Sequence, residues 1–208
     1  MPTHYVLLGD VVASRDIDER GDFGATLTDA CATVSDQHAD AFLAPLEPLK
    51  GVDEVGGVLT DPAPLYDVLD GLRERLHPQE LRVAVAAGGV DVGVGTGNVS
   101  RMDGPAFHRA DELLSDLDAS TLRVAFDFER APLDATLADE VNLLFLLKRR
   151  WTDRQRDVVR AYRETESQDA VAENLGVSQP AVSQALSRAS WPAVREIEER
   201  LRSTFEAV

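Results

Sequence analysis

Read from the amino terminus, the apolar positions change period several times, and each change marks an element. Tyr5–Leu8 is an unbroken apolar run that predicts a buried first strand, leading into Gly9-Asp10-Val11-Val12. Residues 16–22 are charged and read as a loop. From Phe23 the apolar residues recur at Leu27, Cys31, Val34, His38 and Phe42. This is a helical stripe of about five turns, which Pro45 and Pro48 are expected to break. Residues 49–59 read as strand, tight turn and strand, with Val52-Asp53-Glu54-Val55 near the turn. Leu65, Leu69, Leu72 and Leu76 place a helix over residues 62–76, and residues 81–87 alternate as a central strand. Glycines follow at 88, 89, 93, 95 and 97. That stretch reads as a strand and turn packed close to a ligand or to another backbone. It lacks the context of a phosphate-binding loop. Asp103-Gly104-Pro105 opens a helix over residues 106–117, with Phe107, Ala110, Leu113, Leu114 and Leu117 as its apolar side. Residues 122–128 form the last strand. The order is β, α, β-hairpin, α, β, α, β, which predicts an α/β (α+β) sandwich with a mixed sheet.

Pro132 ends this first domain, expected to span residues 1–131. Residues 132–150 predict a connecting helix with Leu137, Val141, Leu144, Phe145 and Lys148 on one stripe. That stripe is either core or a dimer seam. The remainder, 151–208, reads as a small all-α domain. Thr152 and Gln155 form a capping box for a helix over residues 153–163. Trp191-Pro192 opens a final helix carrying Val194, Ile197, Leu201 and Phe205. Between them, Ser167 to Ala189 has the pattern of a helix-turn-helix. Ser167 is placed to cap a short helix with Val171, Ala172 and Leu175 inward, and Gly176 supplies a residue tolerant of positive φ at the turn. Ser178 is placed to cap the second helix, Pro180 suits its first turn, and Val182 and Leu186 face inward. That leaves Gln179, Ala181, Ser183, Gln184, Ser187 and Arg188 outward. Together with Ser178 they form a set of short, amide and guanidinium side chains suited to base edges and phosphates.

The formal net charge of −16 runs against a nucleic-acid reading until the chain is divided. Residues 1–147 hold 10 Lys and Arg against 27 Asp and Glu, a net of −17, whereas residues 148–208 hold 11 against 10, a net of +1. Lysine occurs only at Lys50 and Lys148, against 19 arginines. An acidic, lysine-poor chain suits a salt-rich cytoplasm, pointing to a halophilic archaeon as the source. In such salt the counterion-release part of DNA affinity is weak, so a broad basic face has less use. The single cysteine, Cys31, excludes an internal disulfide and reads as a small buried filler. No apolar run reaches membrane-spanning length. The first residues lack a basic region before their short apolar stretch, which favours a strand over a signal peptide and a cytoplasmic protein.

Two resemblances cover different parts of the chain. Thr152 to Ala189 resembles the region-four helix-turn-helix of sigma factors, which implies double-stranded DNA as partner and residues 178–188 as recognition helix. Residues 5–114 resemble the SatD family through LGDVVASRDIDER (Leu8 to Arg20), GVDEV (Gly51 to Val55) and DGPAFHRADELL (Asp103 to Leu114). SatD-like domains in turn resemble the class III nucleotide cyclase and GGDEF palm domains. Those enzymes hold two divalent metals between an aspartate after the first strand and an acidic residue in a hairpin turn. The resemblance implies Asp10 and Asp53, with Glu54 beside it, as metal ligands for Mg²⁺ with a nucleotide. The turn here reads GVDEV where the palm domains have GGDEF, so the second glycine and the aromatic are absent. Arg101 and Arg109 are candidate phosphate partners.

Each of these residues has a plainer reading. Asp10 caps the loop after it, with Ser14 and Arg15 as partners, and Asp53 and Glu54 form a solvated turn. His108 is a packing or surface residue. His4, His38 and His77 have no companions at metal-ligand spacing. The expectation is therefore a DNA-binding transcriptional regulator and homodimer, whose α/β domain dimerises or senses a small molecule or nucleotide. The alternative is a metal-dependent phosphoryl-transfer enzyme, and a third reading makes the α/β domain a scaffold that only dimerises.

Overall fold

The computed structural model describes residues 3–51 and 53–208, Lys50 by its backbone alone. Val52, which the sequence reading sets in the hairpin turn, lies outside the described residues. The chain divides into two compact units. The first comprises residues 1–142 and 202–208, the second residues 143–201. The divisions fall inside two helices, not at the ends of elements.

The first unit is built on a five-stranded mixed sheet. Its strands are β1 (His4–Val11), β2 (Phe42–Lys50), β3 (Glu54–Leu59), β4 (Leu81–Gly88) and β5 (Val124–Asp127). They lie in the order β2-β3-β1-β4-β5. β1 runs antiparallel to both β3 and β4, and β5 runs parallel to β4. The helices are α1 (Arg20–Gln37), α2 (Leu65–Leu76) and α3 (Pro105–Asp118). α3 covers one face, where Val6, Val58 and Ala86 of the sheet meet Ala106 and Ala110. The glycine-rich segment closes the same core through Val90, Val99 and Met102. Of the two packings expected for that segment, the close approach of another backbone is present. A Cβ added at Gly93, whose φ is +75°, would lie 2.2 Å from the Arg101 carbonyl oxygen.

The stripe expected to run to Phe42 ends earlier. α1 stops at Gln37, and Phe42 begins β2. Pro45 and Pro48 do not break a helix; they lie inside β2, the edge strand, where a missing N–H breaks no ladder bond on the open side. The pairing of β2 with β3 is irregular around Ala44, Glu47 and Pro48.

At the opposite edge the short β5 is held by a side chain. Asn142 lies on α4 (Leu133–Arg149). Its Oδ1 accepts from the backbone N–H groups of Arg123 (2.8 Å) and Val124 (3.0 Å), and its Nδ2 donates to the Val124 carbonyl (2.8 Å). The buried carboxylate of Asp134 likewise accepts from Phe128 N and Arg130 N.

The last residues also belong to this unit. Phe205, fully buried at the end of α8 (Trp191–Phe205), meets Phe126 edge-on at 5.5 Å and Phe128 at 6.5 Å. Phe128 in turn meets Tyr5. Arg202 binds both oxygens of Asp67 and lies over the Tyr66 ring. The sequence reading assigned these residues to the all-α domain.

The second unit contains α5 (Asp153–Thr165), α6 (Gln168–Leu175) and α7 (Gln179–Arg188), with the adjoining parts of α4 and α8. The expected capping box is present: Thr152 N donates to Gln155 Oε1 at 2.8 Å, and the Thr152 hydroxyl accepts from Gln155 N at 3.3 Å. Val158, Val159, Val171, Val182, Leu186 and Val194 make the core, and Trp151 Nε1 donates to the Ala189 carbonyl. Within that core Glu198 bridges the fully buried Lys148 and the guanidinium of Arg163. No helix among the described residues is long and apolar enough to cross a membrane.

Candidate functional site

α6 and α7 are joined by three residues. At Gly176 the backbone turns left-handed, with φ +63°. Gly176 N–H bonds to the Glu173 carbonyl and Val177 N–H to the Ala172 carbonyl. This double bond pattern satisfies the open end of α6, and glycine adopts it without a Cβ penalty. Ser167 caps α6 as expected, its hydroxyl accepting from Ala170 N at 3.3 Å. Ser178 stands at the start of α7 in an extended conformation, but its hydroxyl makes no capping bond, contrary to the sequence expectation.

On α7 the division of faces is clean. Val182, Ala185 and Leu186 are buried. Gln179, Ala181, Ser183, Gln184, Ser187 and Arg188 are exposed, and Ser178 with them. Gln179 spends its amide donor on Gln168 Oε1 at 2.6 Å, which ties the start of α7 to the start of α6. Ser183, Gln184, Ser187 and Arg188 are left as an outward row of hydroxyl, amide and guanidinium groups. Arg188 is the one charge in the row, and Asp169 and Glu173 of α6 are also exposed. The surface is polar without being basic.

The carboxylates of the sheet occupy a second location. Asp10 stands opposite Glu54 on β3 and opposite Arg82 on β4, so the three share one face. Arg82 grips Asp10 with both ends of its fork, Nε to Oδ1 at 3.0 Å and a terminal nitrogen to Oδ2 at 2.5 Å, and its other nitrogen meets Asp118. Burial opposes the Arg82 charge, but the bonds and charge of Asp10 and Asp118 outweigh it and raise the guanidinium pKa above its ordinary value. The partner of Asp10 is thus Arg82, not Ser14 or Arg15. Asp53 is half-exposed and binds Arg20 at 3.0 Å. Among the described residues no group of three or more His, Cys, Asp or Glu is placed to hold a metal ion.

The remaining candidates scatter. Arg109 pairs with Asp127 and Glu129 and donates to the Ala87 carbonyl. Arg101 is exposed. His108 lies in solvent, 3.6 Å from Asp103. His4 is buried on β1, away from any such cluster. Sequence reasoning missed Arg82 and Arg20. A signal for Arg82 existed, since a lone arginine in an apolar central strand requires a carboxylate on a neighbouring strand.

No curated protein matches the sequence. Among solved structures, that of a bacterial light-regulated adenylyl cyclase aligns with a TM-score of 0.42 and 15% identity, over 60% of this chain and 42% of that one. This chain therefore spans less than half of the cyclase's length. A regulator of polyketide synthase expression from Bifidobacterium adolescentis aligns with a TM-score of 0.31 and 16% identity, over 99% of this chain and 79% of that one. The sequence profile of the SatD family matches residues 4–194. The match extends well past Leu114, where the sequence reading ended the resemblance, and includes α5, α6 and α7. From β1 to the first turn of α8, this chain belongs to the SatD family.

Proposed function

We propose that this chain is a DNA-binding transcriptional regulator that acts as a homodimer, with α7 as its recognition helix. The observation that carries the reading is the exposed row on α7, set behind a tight glycine turn and backed by an apolar face. The resemblance of residues 152–189 to the region-four helix-turn-helix of sigma factors supports it. In this reading Gln184 presents an amide able to bond an adenine edge bidentately, and Ala181 offers a methyl to thymine. Ser178, Ser183 and Ser187 bond phosphates or bases, Arg188 takes a phosphate, and Gln179 holds the helix in place. One such module buries little DNA, so two copies reading two half-sites supply the affinity. The first unit then carries the dimer or senses a small molecule or nucleotide, and the protein works in the cytoplasm.

The test is fluorescence anisotropy with duplex from the region upstream of its own gene and with random duplex of equal length. Gln184→Ala is expected to cost about 1–3 kcal/mol of discrimination. Arg188→Ala should weaken both duplexes alike and reduce the salt slope by about one. Equal affinity of the native protein for the two duplexes would sink the proposal.

The metal-dependent reading has one observation in its favour, the placement of Asp10 opposite Glu54. The residues nonetheless fit Mg²⁺ poorly as they stand. Arg82 occupies both Asp10 oxygens, and Asp53 is engaged with Arg20. ATP and GTP with magnesium are expected to leave the melting temperature unchanged. A rise that Asp10→Ala abolishes would assign Asp10 to a metal–nucleotide site, and turnover of the nucleotide would then separate an enzyme from a sensor.

A further inference from the structure

α4 carries two stripes on opposite sides. The inward stripe, Leu137, Val141, Leu144 and Lys148, is buried, which answers the core-or-seam question for those residues. The outward stripe is Asp139, Leu143 and Leu146, at spacings of four and three, and Arg150, the first residue past the last turn of α4, follows four residues on. Three leucines within little more than one turn lie open on or beside it: Leu143 is 66% exposed, Leu146 45% and Leu147 37%. Leucines at that spacing form the seam of paired helices, and exposing them to water is unfavourable. The stripe is also polar in the directional sense. It starts with a carboxylate and ends with a guanidinium, and among the described residues neither Asp139 nor Arg150 makes an ion pair.

This charge order selects the occupant. From it we infer that the outward stripe of α4 pairs antiparallel with the same stripe of a second copy, about a twofold axis level with Leu144 and Phe145. That register sets Leu143 against Leu146 of the second copy and Asp139 against its Arg150, and the twofold repeats both contacts. A parallel pairing would set like charges together at both ends. The pattern is self-complementary, as an isologous interface must be. It explains three leucines on a chain otherwise so acidic that two copies repel each other. The inference rests on the homodimer of the proposed function and names α4 as its surface, with Leu143, Leu146 and Arg150 in the second unit, which leaves the first unit the sensing role.

Sedimentation velocity at about 0.15 M salt, which screens the long-range repulsion of two chains of charge −16 more than it screens close ion pairs, tests it on the full chain. The native protein is expected to sediment as a dimer. Leu143→Asp should raise the dimer dissociation constant by about a hundredfold, because the charge is buried without a partner. Asp139→Arg and Arg150→Asp should each weaken the dimer, and the double exchange should restore it. All these positions are exposed, so circular dichroism of each variant should match the native spectrum. A native monomer, a Leu143→Asp dimer of native affinity, or a double exchange no stronger than the single ones would overturn this interface. A dimer indifferent to all four changes that still discriminates its upstream duplex would overturn the α4 surface alone and leave the regulator reading standing.

Discussion

Replacing Phe205 by alanine tests whether the end of the chain is part of the α/β unit. The ring is fully buried and touches Phe126 and Phe128, both from the region of β5. Phenylalanine-to-alanine changes at such sites cost about 3–5 kcal/mol, the sum of lost transfer energy and the cavity left behind. The nearby Arg202–Asp67 pair adds little, since both side chains are over a third exposed and such pairs contribute at most about 1 kcal/mol. The aromatic contacts therefore dominate. In a unit of about 150 residues each kcal/mol moves the melting temperature by about 2–4 °C, so Phe205→Ala should lower it by about 10 °C. Differential scanning calorimetry with near-ultraviolet circular dichroism reads the loss. Truncation after Leu201 should do at least as much, whereas Ser203→Ala, on the same turn but exposed, should change stability by less than about 0.5 kcal/mol. A shift below about 2 °C for Phe205→Ala would show that the last turn of α8 does not complete the first unit.

Two further outcomes follow from buried groups. Burial raises the Cys31 thiol from 9.0 to about 12. The folded state therefore favours the neutral thiol, and its contribution to stability is complete below about pH 9 and lost as the pH rises towards about 12. Iodoacetamide at pH 8 should leave the native protein unmodified and label it in denaturant, and native labelling at the unfolded rate would contradict the burial. Glu198→Ala removes the carboxylate shared by Lys148 and Arg163 and should cost the second unit about 3–5 kcal/mol. Urea unfolding followed by the fluorescence of Trp151 and Trp191 measures it, and a loss under about 1 kcal/mol would mean that the triad is not the main support of Lys148.

The strands and helices with a clean period were legible without coordinates. The leucines of α2, the alternation of β4 and the glycine and proline opening α3 each report a local preference that burial then reinforces. β2 was misread because proline weighs as a breaker in any one-dimensional scan. Its tolerance depends on being at a sheet edge, which is a fact of tertiary order. The exposed face of α7 was readable because a two-sided helix declares both sides. The partnership of Asp10 with Arg82 was not, since it joins residues 72 apart through a strand order that periodicity does not encode. For the same reason Phe205 looked like the end of one helix, whereas its ring packs with aromatics near β5. α4 reads as carrying a single apolar stripe because Leu137, Val141, Leu144, Phe145 and Lys148 fit the helical period, and Leu143 and Leu146 fall outside it.

The two margins of the sheet set how copies of this protein can meet. A strand approaching the β2 margin finds Pro45 and Pro48, two positions with no N–H to offer. A strand approaching β5 finds the Asn142 amide already seated on Arg123 N and on both backbone groups of Val124, at the start of this four-residue strand. Growth by sheet extension, the usual route from an open α/β sheet to fibrils, is discouraged at both ends. Crowding many copies of this chain together should thus leave the sheet inert.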